Sequence, residues 1–221
     1  MKLRGAIFDL DGTVVDNMRW HARAWIALVR AHGGDARSDA ELESFVYAKA
    51  GMKNEELIPM LLPGAPDVAA LSAEKEALYR ELYAPSLSPL AGLLPFLDEL
   101  QAGGVRLAVA SAAPLANRDF VLDGLSLRAR FQVIAGAEHV RRGKPAPDIF
   151  LEAARLLGVA PEDCIAFEDA VKGVEAAVAA GMPCAAVTTT ASAGDLRRAG
   201  ARWTAADFTG FPRFGGDAAP A

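Results

Sequence analysis

Six polar side chains that could bind or transfer a phosphoryl group stand at or beyond the ends of apolar runs in this sequence. They are Asp9 and Asp11, Ser111, Lys144, and Glu168 with Asp169. Four carboxylates gathered without a cation would repel one another strongly. Oxygen ligands of this kind favour Mg²⁺, a frequent companion of phosphate esters. The Ser111 hydroxyl, the backbone N–H groups from Ala112 onward and the Lys144 ammonium would bind phosphate oxygens. The pattern predicts a site for Mg²⁺ and a phosphate ester.

Asp9 and Asp11 have the spacing of a nucleophile and its acid/base partner. In an extended chain, residues two apart direct their side chains to the same side, and Gly12 then allows a sharp turn. Asp9, nearer to the preceding apolar run, is the candidate nucleophile that would form an aspartyl phosphate. Asp11 is the candidate acid and base for the leaving alcohol and the incoming water or alcohol. A calcium-binding EF-hand is not predicted, because Gly12 falls at the fourth loop position rather than the sixth.

Short apolar runs alternate with helical segments along most of the chain and predict the framework for these residues. Buried strands are predicted at 5–8, 105–110, 131–135, 163–167 and 183–187, and helices at 90–102, 115–125, 147–157 and 171–180. This alternation predicts an α/β fold built from βαβ units, with a mainly parallel sheet covered on both faces. Ligands of such sheets bind outside the carboxyl ends of the strands, where the six polar side chains would meet.

Residues 17–84 interrupt the alternation, because they show only helical spacing. They predict a small all-helical domain inserted after the first strand. We therefore expect a phosphoryl-transfer core at 1–15 and 86–209 and a helical cap domain at 16–85. The end of the chain, 210–221, is rich in Gly, Pro and Ala and is expected to form a flexible tail.

Composition restricts the classes of partner. The 221 residues carry 23 basic and 28 acidic side chains, a net charge of −5, which argues against nucleic-acid and acidic-membrane binding. No segment approaches the roughly 18 apolar residues of a membrane span, and the N-terminus does not resemble a signal peptide. A cytoplasmic protein is expected, with a small phosphorylated metabolite as its partner and a monomer or weak dimer as its assembly. Cys164 and Cys184 lack the spacing of a zinc or disulfide framework and are predicted to be buried packing residues.

Four ordered motifs resemble those of the haloacid dehalogenase superfamily. They are FDLDGT at 8–13, Ser111, GKPAPDIF at 143–150 around Lys144, and FEDA at 167–170. With the helical insert after the first motif, they resemble the β-phosphoglucomutase-like branch, which also contains many sugar-phosphate phosphatases. The resemblance extends from Leu3 to about Phe208. It implies a Rossmann-like core with a mobile helical cap, and Mg²⁺ held by Asp9, Asp169 and the backbone carbonyl of Asp11. Glu168 would be a nearby support of the metal site.

The cap departs from the mutase pattern. In β-phosphoglucomutases a cap loop supplies an Arg for the distal phosphate of a bisphosphate, whereas this sequence has Asn54 at that position with Lys53 beside it. Lys53 would offer a point charge without the bidentate fork of an Arg. His21 matches the cap-hinge histidine of the family, and Lys75 roughly matches a cap lysine that faces the active site. The resemblance makes these four residues candidate substrate ligands. Without the resemblance, His21 would be interpreted as a packing residue, and Lys53, Asn54 and Lys75 as exposed residues of the cap.

The function predicted from these motifs is a Mg²⁺-dependent phosphatase acting on a sugar or polyol phosphate through an aspartyl phosphate on Asp9. A β-phosphoglucomutase-like sugar-phosphate mutase is the alternative, in which the phosphoryl group passes to a second hydroxyl of the sugar. A third hypothesis is a non-enzymatic phospho-acceptor domain. Such modules accept phosphate on an Asp after a middle strand and need no cap, which disfavours this hypothesis. A dinucleotide site is not predicted, because no GxGxxG follows the first strand.

Overall fold

A six-stranded parallel sheet forms the centre of the computed structural model, which describes residues 3–49 and 52–214. The strands are β1 (Gly5–Phe8), β2 (Arg106–Ser111), β3 (Val133–Gly136), β4 (Cys164–Glu168), β5 (Cys184–Val187) and β6 (Trp203–Ala205). Their order across the sheet is β3-β2-β1-β4-β5-β6, and every neighbouring pair is parallel. The chain therefore builds outward from β1 on one side and then crosses to the other. This reversal makes the carboxyl end of β1 the switch point at which ligands of such sheets bind.

Both faces of the sheet are buried. Five helices accompany the strands: α5 (Leu93–Ala102), α6 (Leu115–Gly124), α7 (Asp148–Leu157), α8 (Val171–Ala179) and α9 (Ala193–Ala199). Ile7 packs in one apolar cluster with Phe150 of α7 and Val174 of α8. Its neighbour Phe8 stacks on Phe167 with a ring separation of 4.5 Å. Successive side chains of a strand point to opposite faces, so Ile7 and Phe8 belong to two different layers of core. The predicted α/β class with a parallel sheet is confirmed.

The beginning of the expected flexible tail is packed against the sheet, so the expectation is wrong there. Phe214 is only 6% exposed, and its ring lies 5.0 Å from the ring of Trp203 and 5.7 Å from that of Phe167. Phe211 joins the same aromatic cluster through Phe96 of α5. The Gly, Pro and Ala content suggested a tail, but two large rings three residues apart offer enough apolar area to pack against the sheet. The remainder of the expected tail, 215–221, lies outside the described residues.

Residues Asn17–Leu87 form a compact unit distinct from the rest of the chain. Its helices are α1 (Met18–Ala31), α2 (Asp39–Ala48), α3 (Asn54–Leu61) and α4 (Val68–Tyr83). The unit has a core of its own, to which Trp25 and Leu28 of α1, Ile58 of α3 and Leu71 of α4 contribute. Within 3–49 and 52–214, no helix combines the length and apolarity that crossing a membrane requires.

Candidate active site

The carboxyl end of β1 brings four of the six predicted polar side chains together. Phe8 pairs with Val109 of β2 and with Phe167 of β4, so the ends of these strands flank Asp9. The backbone N–H of Asp9 donates to the carbonyl of Phe167 at 2.9 Å, which continues the sheet to the first aspartate. One carboxylate oxygen from each of Asp9, Glu168 and Asp169 lies within 4.8 Å of the others. All three side chains are buried.

Lys144 bridges two of these carboxylates. Its Nζ donates to Asp9 Oδ1 at 2.5 Å and to Glu168 Oε1 at 2.6 Å, and the carbonyl of Ala110 lies 3.4 Å away. Burial alone would lower the pKa of Lys144, but the charges of Asp9 and Glu168 outweigh it and hold the pKa above its usual range. Lys144 is therefore charged at physiological pH. Its ammonium fixes the orientation of the Asp9 carboxylate.

The negative charge that Lys144 does not neutralise is costly to bury. Burial, followed by the charge of Glu168, raises the pKa of Asp9 to about 7, although Lys144 opposes the rise. Burial and the charges of Glu168 and Asp9 likewise raise the pKa of Asp169 well above its usual value. Two neighbouring carboxyl groups whose ionisation is opposed in this way fit a site for a cation, because a bound cation would favour their charged forms.

The donor chemistry of the cluster fits a hard divalent cation. Glu168 is already engaged: Oε1 accepts from Lys144, and Oε2 accepts from the backbone N–H groups of Asp169 at 3.0 Å and Ala170 at 3.3 Å. Its carboxylate is therefore better suited to supporting the site than to direct ligation. Asp9 and Asp169 are the two side chains that would hold the cation, and carboxylate oxygens are the ligands that Mg²⁺ prefers.

The turn after β1 packs directly against Asp169. The carbonyl of Leu10 accepts from the N–H groups of Thr13, Val14 and Val15, which folds the chain into a tight turn. Gly12 adopts φ +80°, and a Cβ at this position would lie 2.0 Å from Asp169 Oδ2. Only glycine therefore permits this close approach.

Two side chains of this turn, those of Thr13 and Asp11, have different surroundings. Thr13 Oγ1 donates to Asp169 Oδ1 at 3.1 Å, which ties the turn to the candidate metal ligand. Asp11, the candidate acid and base, is only partly buried within the turn. It is thus more accessible than the buried Asp9.

The predicted phosphate-binding side of the site lies at the end of β2. Ser111 is its last residue and is buried, whereas Ala112 is exposed. The Ser111 hydroxyl accepts from the N–H of Ala113 at 3.1 Å, and α6 does not begin until Leu115. The N–H of Ala113 therefore already has an acceptor in Ser111. Fewer N–H groups than expected are available to bind a phosphate. Residue 111 also pairs with Gly136 of β3 in the sheet register.

In the helical unit, His21 and Lys75 form one cluster, in which Lys75 is buried and His21 is partly buried. Lys75 Nζ lies 2.8 Å from His21 Nδ1 and 3.0 Å from Glu76 Oε1, and the Lys75 side chain is only 3% exposed. The His21 ring stacks on Tyr79 at 3.8 Å. Burial and the charge of Lys75 lower the pKa of His21 to about 3. His21 is therefore neutral at physiological pH, with Nδ1 accepting from Lys75 and the proton on Nε2.

Asn54 belongs to the same cluster and Lys53 does not. The Asn54 side-chain amide donates to Glu76 Oε1 at 2.7 Å and to Ser72 Oγ at 3.1 Å. Lys53 is exposed at the start of α3, where its backbone N–H donates to Glu56 Oε2 at 3.0 Å. Lys75 is thus not the exposed residue that its type alone suggests, and Glu76 is the member of the cluster that sequence reasoning missed.

The threonines after β5 were also missed. Thr189 Oγ1 donates to the carbonyl of Gly12 at 2.5 Å, so the loop after β5 contacts the turn after β1. The signal was present in the sequence, because Thr188, Thr189 and Thr190 follow a predicted strand, where ligand-binding side chains are expected.

Comparisons with a family model, with individual proteins and with solved structures give consistent matches. A family model described as haloacid dehalogenase-like hydrolase matches residues 3–181. Fructose-1-phosphate phosphatase YqaB of Escherichia coli is 34% identical over 180 residues, which cover 80% of this chain and 93% of that protein. Beta-phosphoglucomutase of Bacillus subtilis is 31% identical over 189 residues, 81% of each chain. The crystal structure of CbbY from Rhodobacter sphaeroides in complex with phosphate superposes with a TM-score of 0.81 at 27% identity, covering 94% of this chain and 96% of that one.

Proposed function

Because the chain belongs to the haloacid dehalogenase-like hydrolase family, we propose that it is a Mg²⁺-dependent phosphatase that hydrolyses a sugar or polyol monophosphate. The observation that carries this proposal is the buried Asp9 carboxylate at the switch point of the sheet. One of its oxygens is held by Lys144, and Asp169 lies beside it. A fixed carboxylate next to a candidate cation site is the arrangement that nucleophilic attack on phosphorus requires.

The reaction divides into two displacements at phosphorus. In the first, an Asp9 carboxylate oxygen forms a bond to phosphorus while the bond from phosphorus to the alcohol oxygen breaks, and Asp11 gives its proton to that oxygen. In the second, Asp11 takes a proton from water, whose oxygen attacks phosphorus and displaces Asp9 as a free carboxylate. Inorganic phosphate leaves, and Asp11 is protonated again.

The other residues of the site would bind and orient the phosphoryl group. Lys144 has three N–H donors, and two are used by Asp9 and Glu168. The third would turn from the Ala110 carbonyl, 3.4 Å away, to a phosphoryl oxygen. The Ser111 hydroxyl and the N–H of Ala112 would bind the remaining oxygens. Mg²⁺ held by Asp9 and Asp169 would neutralise the charge that the phosphoryl group brings to these carboxylates.

The similarity to beta-phosphoglucomutase makes a sugar-phosphate mutase the second candidate. The contacts of Asn54 favour the phosphatase. A mutase must hold a second phosphate on its substrate, and Asn54 offers an uncharged amide that is already bonded to Glu76 and Ser72. By the family resemblance, we assign recognition of the alcohol to the helical unit, with His21, Lys53, Asn54 and Lys75 as its candidate ligands.

The test is phosphate release from a panel of monophosphates that includes fructose 1-phosphate, a hexitol phosphate and β-glucose 1-phosphate, with Mg²⁺ or with EDTA. The wild type should release phosphate only with Mg²⁺. Asp9→Asn should keep the circular dichroism spectrum of the wild type and lose activity by at least about 10³-fold. The control is Asp98→Asn, an exposed aspartate on α5, which should remain fully active.

Three results would contradict the proposal. Full activity of Asp9→Asn would exclude Asp9 as the nucleophile. Conversion of β-glucose 1-phosphate to glucose 6-phosphate without free phosphate, in the presence of catalytic bisphosphate, would identify a mutase. A phosphoenzyme that persists for minutes without turnover of any ester would identify a phospho-acceptor domain.

A further inference from the structure

The loop after β5 holds the turn after β1 at the candidate metal site. β5 lies next to β4 in the sheet, with Ala185 paired to Phe167, so its carboxyl end neighbours Glu168 and Asp169. Thr188 N–H donates to the carbonyl of Ala205 at 2.9 Å, which fixes the start of the loop against β6. Thr189 Oγ1 then donates to the carbonyl of Gly12. These two contacts restrict the position of the residue that follows them.

Thr190, the next residue, places its hydroxyl beside the Asp169 carboxylate. The point that a Gly12 Cβ would occupy is 2.0 Å from Asp169 Oδ2 and 2.9 Å from Thr190 Oγ1, so both oxygens border the same small space. The other oxygen of that carboxylate, Oδ1, already accepts from Thr13. The Thr190 hydroxyl is therefore a close neighbour of Asp169 Oδ2.

The Thr190 hydroxyl is buried and makes no well-formed hydrogen bond among the described residues. Leaving a buried donor unpaired costs on the order of 1–3 kcal/mol, and a valine of nearly the same shape would avoid that cost. A hydroxyl at this position is explained if it donates to the neighbouring Asp169 Oδ2 and so fixes the orientation of that carboxylate.

We propose that Thr190 is a positioning residue for the metal ligand Asp169, and that its hydroxyl donates to Asp169 Oδ2 when a divalent cation is bound. This inference rests on the proposed function, since it assigns Asp169 as a ligand. Groups that orient a metal ligand in this way typically change metal affinity by about 10–100-fold when removed. The neighbour of the Thr190 hydroxyl is Asp169, so removal of this hydroxyl should act on cation binding.

Thr204 of β6 provides a matched control. Its Oγ1 is also buried without a hydrogen-bond partner among the described residues, but Thr204 lies on β6, which β5 separates from β4 and its carboxylates. Thr190→Val and Thr204→Val each remove one unpaired buried hydroxyl at nearly constant shape. Both should leave the urea unfolding of the metal-free protein unchanged or slightly more stable. Only Thr190→Val should weaken cation binding.

The experiment is calorimetric titration of the metal-free, full-length protein with Mg²⁺ in the absence of substrate. Thr190→Val should raise the dissociation constant about 10-fold or more, while Thr204→Val should stay within about 2-fold of the wild type. Thr190→Ser, which keeps the hydroxyl, should bind as the wild type does. Wild-type affinity in Thr190→Val, or equally weakened binding in Thr190→Ser, would overturn the inference alone. A wild type that binds no Mg²⁺ would overturn the proposed metal dependence and the inference with it.

Discussion

The partly buried His21 makes the stability of the helical unit depend on pH. Burial and the neighbouring charge of Lys75 lower its pKa to about 3, whereas a histidine in an unfolded chain titrates near 6.5. Between these two values the unfolded chain binds one more proton than the folded one. The free energy of unfolding must therefore fall as the pH falls below about 6.5. The slope is about 1.4 kcal/mol per pH unit, so acidification from pH 7 to pH 5 should cost about 2 kcal/mol.

His21→Gln should remove this loss. The Gln amide oxygen can still accept from Lys75, and it does not titrate. The variant also loses the ring stacking on Tyr79, which lowers stability by the same amount at both pH values. The quantity to compare is therefore the change between pH 7 and pH 5, which should be smaller in His21→Gln than in the wild type by about 2 kcal/mol. Carboxyl groups that titrate in this range contribute equally to both proteins and cancel.

The assay must report on the helical unit by itself, because a chain with two compact units need not unfold in one transition. Of the three tryptophans, Trp20 and Trp25 lie in α1 and Trp203 lies in β6. Urea unfolding followed by tryptophan fluorescence in a Trp203→Phe background therefore observes the helical unit. The other two histidines of the chain provide the controls: His32→Gln and His139→Gln, whose side chains are each 40% exposed.

Two results would refute this reasoning. An equal loss of stability between pH 7 and pH 5 in the wild type and in His21→Gln would show that His21 gains its proton as readily in the folded state as in the unfolded one. Removal of the loss by His32→Gln would assign the titration to another histidine. Either result would also remove the basis for placing the His21 proton on Nε2.

Two further predictions concern the core unit. Lys144→Met leaves the buried Asp9 and Glu168 carboxylates without their shared cation, so phosphate release should fall by at least about 10²-fold and metal-free stability in urea should decrease. Gly136→Ala would place a Cβ 1.3 Å from Nη1 of the buried Arg118, so it should cost at least about 2 kcal/mol in urea unfolding. The cost of Gly136→Ala should be smaller in an Arg118→Met background, which removes the clashing atom.

The sheet could be predicted because most of its strands are buried on both faces and therefore appear as continuous apolar runs. Predicted strand 5–8 coincides with β1, and predicted strand 183–187 differs from β5 by one residue. Strand β6 was not predicted. It has only three residues, Trp203–Ala205, lies at the edge of the sheet and is half-buried. Helix α9, with seven residues, is too short to show a clear helical period.

The candidate site could be located by one rule, that side chains following parallel strands meet at one edge. The rule places Asp9, Ser111 and Glu168 at this edge because each follows an apolar run directly. It cannot supply partners that depend on the packing of helices. Glu76 becomes the acceptor of Asn54 only because α3 and α4 are neighbours. Nothing in the local sequence distinguishes this glutamate from an exposed one.

The two clusters differ in whether the charges that they bury balance one another. In the helical unit, Lys75 and Glu76 form an ion pair, so a positive and a negative charge are buried together. At the carboxyl end of β1, one ammonium faces three buried carboxylates, those of Asp9, Glu168 and Asp169.

Full ionisation of this second cluster leaves two negative charges uncompensated, and the raised pKa values of Asp9 and Asp169 reflect that deficit. A divalent cation supplies the missing charge in one step and also makes the edge of the sheet attractive to a phosphate. The net charge of −5 is therefore no argument against an anionic substrate. The imbalance at β1, rather than the number of carboxylates, is what supports the proposal that this cluster binds a cation and a phosphate ester.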